Sequence, residues 1–192
     1  MKQSRVMMVG LMISMCLMSS LALAQSKGSA AQSLSGPAKE ALMSFENGVR
    51  ELNAGRDASA VIMFNRAIEL DPSRIEYYGN RGFAYLGTKR FDKAAEDFSK
   101  TIEMNPLMPE AYYNRGLAYA AMAQYEKAVD DFSMAVEMDP KMTDGFANRA
   151  LSYTYLKQYD KAWADMHQVE TLGGKLNEQA VALLKQSSGR DK

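Results

Sequence analysis

The 192-residue chain holds 23 basic and 23 acidic residues, one histidine and one cysteine, with 47% of its residues hydrophobic. A balanced charge exerts no long-range pull on nucleic acid or anionic lipid, and one cysteine with one histidine supplies no cysteine/histidine metal cluster. The length is sufficient for a substantial core, so stability is expected to come from packing alone.

Residues 1–24 open with Lys2 and Arg5, continue through an apolar run from Val6, and end in Ala22-Leu23-Ala24 before Gln25. That order is the plan of a secretory signal peptide. Cleavage between Ala24 and Gln25 would deliver a periplasmic or secreted protein. Kept, the same run is nearly long enough to span a bilayer and would act as an anchor, the one case in which a membrane partner is expected. No twin arginine precedes the run, and Met15 rather than a small residue precedes Cys16, which argues against twin-arginine export and lipidation. Removing Lys2, Arg5 and Cys16 lowers the 23 basic residues to 21 against 23 acids, a net charge of −2, and leaves no thiol. Residues 25–40, rich in Ser, Ala, Gly and Gln, predict a flexible leader.

From residue 41 the chain repeats every 34 positions. Asn80-Arg81-Gly82, Asn114-Arg115-Gly116 and Asn148-Arg149-Ala150 align, as do Phe64, Phe98, Phe132 and Met166, and Pro72, Pro106 and Pro140. Such a period signals stacked supersecondary units, none able to bury its apolar face alone. The units are 41–74, which is degenerate, then 75–108, 109–142 and 143–174. Apolar spacing predicts one helix over about positions 1–14 of each unit and a second over about 17–30. Small residues at positions 8, 20 and 27, such as Gly116, Ala128 and Ala135, let the backbones approach. Proline at position 32 stops the second helix after Leu70, Met104 or Met138. Ser73 to Glu76 reads as a capping box that restarts the chain.

Arg81, Arg115 and Arg149 occupy position 7, and Asp97, Asp131 and Asp165 position 23 of the same three units. The first unit has Asn47 and Met63 there instead. Joint presence and absence points to an Arg–Asp pair in a partly buried helix contact, with independent surface placement as the rival. After the fourth unit, 175–188 predicts a solvating cap helix, with Asn177 as its N-cap and Leu176 stapling to Val181. Trp163 is expected to pack between the last repeat and this helix.

In the third unit Tyr112, Arg115, Gly116, Tyr119, Ala128, Phe132 and Pro140 fall on the W-x2-L-G-x2-Y, A-x3-F, P pattern, and the second and fourth units follow it. Over residues 41–174 the chain resembles the tetratricopeptide repeat family. The resemblance implies an all-α, right-handed helix-turn-helix repeat solenoid of about four repeats plus a C-terminal capping helix. It also implies a concave groove lined by first helices, where a peptide or a partner's helix binds. Groove positions then read as Asn80, Asn114 and Asn148; Phe83, Leu117 and Leu151; and Leu86, Tyr113 and Tyr155. An asparagine amide offers donors and an acceptor together, which suits an extended peptide backbone, although the asparagines could equally serve the helices themselves. Glu76, Glu110 and Asp144 would make the groove mouth acidic and favour basic or neutral segments, though acids in a first turn also answer the helix dipole. The family branch that clamps chaperone C-termini uses Lys and Arg in this region, so that ligand is rejected.

His167, at position 25, is expected on an exposed site, and paired acids such as Asp130-Asp131 point to different helix faces. With no nucleophile-base pair and no Gly-rich phosphate loop, neither catalytic residues, cofactor nor metal is expected. The expected function is a non-catalytic adaptor or scaffold of a bacterial-type cell envelope, with another protein or peptide as partner. The alternative is a structural protein assembling homotypically through its repeats. Less favoured is a membrane-anchored assembly factor that keeps its apolar segment. RNA binding is opposed by the charge and the signal.

Overall fold

The computed structural model describes residues 36–190, so the signal segment and most of the leader lie outside the described residues. The described chain is an all-α repeat solenoid, with nine helices and no strand among the described residues. They are α1 (Pro37–Asn53), α2 (Asp57–Leu70), α3 (Ile75–Gly87), α4 (Phe91–Met104), α5 (Pro109–Ala121), α6 (Tyr125–Met138), α7 (Thr143–Tyr155), α8 (Tyr159–Thr171) and α9 (Glu178–Ser188). Contacts divide the chain into two compact units, Met1–Thr101 and Ile102–Lys192. The first contains α1 to α3 and most of α4; the second contains α5 to α9.

Helices α3, α5 and α7 start on the first position of their repeats, and α2, α4 and α6 end two residues before the prolines. Proline cannot extend the ladder, and it drives the residue before it out of helical backbone. That residue is Asp71, Asn105 or Asp139. Its Oδ1 accepts the backbone N–H two residues on, from Ser73, Leu107 and Lys141 at 3.0, 3.1 and 3.0 Å. The capping box expected at Ser73 to Glu76 is not formed. The N-cap of α3 is Arg74 without a side-chain cap, and Ser73 Oγ donates to Asp71 Oδ1 at 2.5 Å. The Asp71 carboxylate accepts the Ser73 hydroxyl proton and so orients that side chain toward itself, while no helix N–H is capped by it. Helix α1 begins at Pro37, ahead of the expected start at 41, and takes in the last residues assigned to the leader. Proline fits that first turn because its missing N–H would have no partner inside the helix.

Between the two helices of every repeat, position 15 is left-handed: Gly55 at φ 70° and Lys89, Ala123 and Lys157 at φ 60°. The turn closes in the same way each time. In the third repeat Ala123 N donates to Ala120 O and Gln124 N to Tyr119 O, both at 2.9 Å. This is a Schellman closure, which satisfies carbonyls orphaned at the helix end and favours glycine at its left-handed residue. Only the first repeat has that glycine. Replacing Ala123 with glycine is therefore expected to stabilise the protein by about 0.5–1 kcal/mol, since relief of left-handed strain exceeds the added chain entropy. Urea titration of both proteins checks the sign.

The core runs along the seam between paired helices. Phe64, Phe98, Phe132 and Met166 are fully buried. A Cβ placed on Gly48, Gly82 or Gly116 would lie 2.5, 3.0 or 2.7 Å from the phenylalanine ring of its own repeat. The ring thus fills the space the glycine leaves. In the fourth repeat the pair becomes Ala150 and Met166 in one apolar cluster, where a flexible thioether chain can bend around the added methyl. That cluster also takes Trp163 and Leu184, so α9 covers the last repeat. Asn177 Oδ1 caps α9 by accepting from Gln179 N and Ala180 N at 3.0 Å. Trp163 Nε1 lies 3.4 Å from Ser188 Oγ.

Candidate partner-binding face

One side of each strong repeat is consumed by structure. Arg81, Arg115 and Arg149 each donate through Nε and Nη2 to the two carboxylate oxygens of Asp97, Asp131 and Asp165, at 2.8 and 2.7 Å in every case. The expected pairing therefore holds. A planar guanidinium meets a carboxylate best in this two-bond geometry. Nη1 reaches into the preceding repeat, from Arg81 to Asn65 Oδ1 at 2.8 Å and from Arg149 to Ser133 Oγ at 3.0 Å. Rings at positions 4 and 11 flank each cation: Tyr78 and Tyr85 lie 5.8 and 5.7 Å from the Arg81 centre, and Phe146 and Tyr153 lie 5.4 and 5.9 Å from that of Arg149. The degenerate first repeat has lost the whole set, carrying Ser44, Asn47, Glu51 and Met63.

The pairs are held in a dry place. Burial pushes the Asp97 and Asp131 carboxyls above their ordinary value, with the paired guanidinium pulling the other way. Hydrogen bonds to the carboxylates hold Arg81, Arg115 and Arg149 above the ordinary guanidinium value. These residues build the array and leave little for a ligand.

The first-helix residues read as groove positions fall in both units. In the first unit α3 carries Glu76, Asn80 and Phe83, all half-buried, whereas Leu86 is only 4% exposed and belongs to the core. Position 12 turns inward here, so Leu86 offers a partner almost no surface. Asn80 Nδ2 donates to Glu76 O at 2.8 Å, a bond within its own helix.

In the second unit α5 and α7 place two stripes together. Glu110, Asn114 and Leu117 lie three and four residues apart on α5, and Asp144, Asn148, Leu151 and Tyr155 do so on α7, so each series shares one helix face. Asn148 Nδ2 donates to Tyr113 Oη at 3.0 Å and ties the stripes. Tyr113 and Leu117 also pack against the cluster of Ala120, Ala128 and Phe132, which fixes their positions. Tyr155, 36% exposed, stacks on Tyr125 with centroids 4.5 Å apart and planes 9° from parallel. Glu110 and Asp144 are exposed. Asn114 is 6% exposed, and its buried Oδ1 has no hydrogen-bond partner among the described residues.

The asparagines are thus less uniform than their spacing suggests, because two of the three amides donate inside the protein. Sequence reasoning missed the Tyr125 contact and the rings around each arginine. The rings were visible as a 34-residue recurrence of aromatics, but their partner, a cation, was assigned only to aspartate. His167 is exposed, as expected. Among the described residues no group of three or more His, Cys, Asp or Glu is placed to hold a metal ion, and no helix is long and apolar enough to cross a membrane.

Four helix pairs closed by one turn, three of them packed through a glycine under a phenylalanine ring, define a two-helix repeat protein. Profiles described as Tetratricopeptide repeat match residues 109–142 and 75–106. The chain belongs to the tetratricopeptide repeat family. Among similar solved structures, MamA from Desulfovibrio magneticus RS-1 is 22% identical over 69% of this chain and 75% of its own, with a TM-score of 0.68. The Arabidopsis OM64 TPR domain is 25% identical over 61% of this chain and 97% of its own, with a TM-score of 0.59. The first TPR of Spaghetti (RPAP3), solved bound to the HSP90 peptide SRMEEVD, is 24% identical over 62% and 95%, with a TM-score of 0.60. A search of curated proteins found no match.

Proposed function

We propose that this chain is a non-catalytic adaptor of the cell envelope that holds a peptide or a partner's helix against the face formed by α5 and α7. The observation that carries the reading is the composite face itself. Fixed side chains of Tyr113 and Leu117, an exposed stacked tyrosine and unsatisfied amide capacity at Asn114 stand side by side on two rigid helices. Apolar burial with a few placed polar groups is what peptide recognition requires. That the similar first TPR of Spaghetti (RPAP3) is bound to a peptide supports a peptide as the kind of partner. Export is supported by the charged start, apolar run and small-residue site of residues 1–24.

A partner captured from an envelope fraction by the immobilised protein is expected to be lost with Asn114→Ala/Leu117→Ala. Capture that survives in a variant still melting cooperatively would refute this face. For export, the mass of protein recovered from the envelope should lack Met1 to Ala24. Homotypic assembly through the first repeat is a second reading, favoured by Met43 and Ile62, which are 54% and 61% exposed there. Concentration-dependent sedimentation of the purified protein separates it from partner binding.

A further inference from the structure

We infer that a second copy of this chain docks on one flank of α9, so that the two α9 helices lie antiparallel about a two-fold axis passing between Val181 and Ala182.

A helix that only seals the end of an array needs one apolar stripe. Helix α9 has that stripe in Leu184, which is fully buried, and Ala180, both packed in the cluster of Trp163 and Met166. Beside it lies a second one. Leu176, Glu178, Val181, Ala182 and Lys185 line an open hollow of about 390 Å³, and positions 178, 181, 182 and 185 share one flank of the helix. Leu176 and Val181 are only half-buried and Ala182 is exposed, whereas Gln179, Gln186 and Ser187 keep the remaining exposed surface polar.

The order of charge along that flank sets the occupant. Glu178 stands in the first turn and Lys185 in the last, with Val181 and Ala182 midway between them. Turned end for end, this series is its own complement. In an antiparallel pair each Glu178 faces the second copy's Lys185, and each Val181 meets the second copy's Ala182, which is the mutual contact a two-fold interface requires. A parallel pair would set like charges together. Small Ala182 lets the two backbones approach, and Leu176 covers the aliphatic stem of the second copy's Lys185. Lys185 also interacts within its own chain, and the second copy's carboxylate adds to that contact. With 23 basic and 23 acidic residues, two copies have no net repulsion to overcome. An acid at the start and a base at the end of a helix also answer its dipole, but the dipole gives no reason for an apolar pair between them in a hollow. One 11-residue helix from each copy covers less than the roughly 1,600 Å² of a standard interface, so the dimer is weak and concentration-dependent.

Sedimentation equilibrium of the purified protein is the test. Self-association is expected with a dissociation constant on the order of 100 µM. Glu178→Lys and Lys185→Glu, each alone, set like charges together and should weaken association about tenfold. Mixed in equal amounts, the two variants should associate as well as the unchanged protein, because each then meets the opposite charges it lacks. Association that survives either reversal belongs to another surface, such as Met43 and Ile62 of the first repeat, and overturns the α9 pairing. A mixture that stays monomeric, or an unchanged protein that never associates, overturns it as well. Matched thermal melts of the variants keep folding out of the comparison. Peptide capture through Asn114 and Leu117 involves neither reversed position, so the two readings fail separately.

Discussion

Replacing Phe132 with alanine is expected to lower stability by about 4 kcal/mol, within the range for truncating a fully buried aromatic. The ring is completely buried, contacts Tyr113 at a centroid distance of 5.7 Å, and fills the space in front of Gly116. Losing it opens a cavity that backbone glycine cannot fill and frees the aromatic that orients Asn148. Urea denaturation followed by circular dichroism measures the loss, and a change below about 1 kcal/mol would place Phe132 outside the core. Because Tyr113 is shared, peptide capture should weaken in the same variant under conditions where it stays folded.

The second large effect concerns Arg115 and Asp131. Asp131→Leu alone should cost about 3 kcal/mol, because it strands a guanidinium in a site where its side chain is only 21% exposed. Arg115→Met alone strands a carboxylate that burial already pushes toward its neutral form, so its loss is of the same order but eases as pH falls. The sign follows from the raised carboxyl: the folded state binds its proton more readily than the unfolded chain, and protonation relieves the stranded charge. The double variant should be far more stable than the sum of the singles, since two apolar chains need no desolvated charge. Additive losses in that cycle would mean the bidentate contact contributes no coupling.

Much of this was legible in the sequence, and the exceptions have physical causes. The 34-residue step located helix starts at Ile75, Pro109 and Thr143 because an array repeats its packing along with its residues. The Arg–Asp pairs were legible because both members vanish together from the first repeat. The left-handed turn residue was not, since Lys89, Ala123 and Lys157 hide a backbone state that only Gly55 advertises. Ser73 was misread because a capping box and an Asp-based turn compete for one hydroxyl, and residue types alone do not rank them. Within the candidate site, family positions located Asn114, Leu117 and Tyr155 correctly on first helices. They could not anticipate that Leu86 turns inward or that Tyr113 answers Asn148, since such a bond depends on how neighbouring helices lie, not on either helix's own pattern.

The third bond of the Arg81 and Arg149 guanidinium groups carries a consequence for dynamics. Arg81 and Arg149 complete their shells only with Asn65 and Ser133 of the repeat before. When that earlier repeat frays, the later one is left with a buried donor in want of a partner, so the second and fourth repeats are penalised for the opening of the repeat before. Amide protons on the two sides of such a boundary should then exchange with similar protection, as members of one cooperative block, and the gradient from frayed end to stable centre typical of weakly coupled repeats should flatten there.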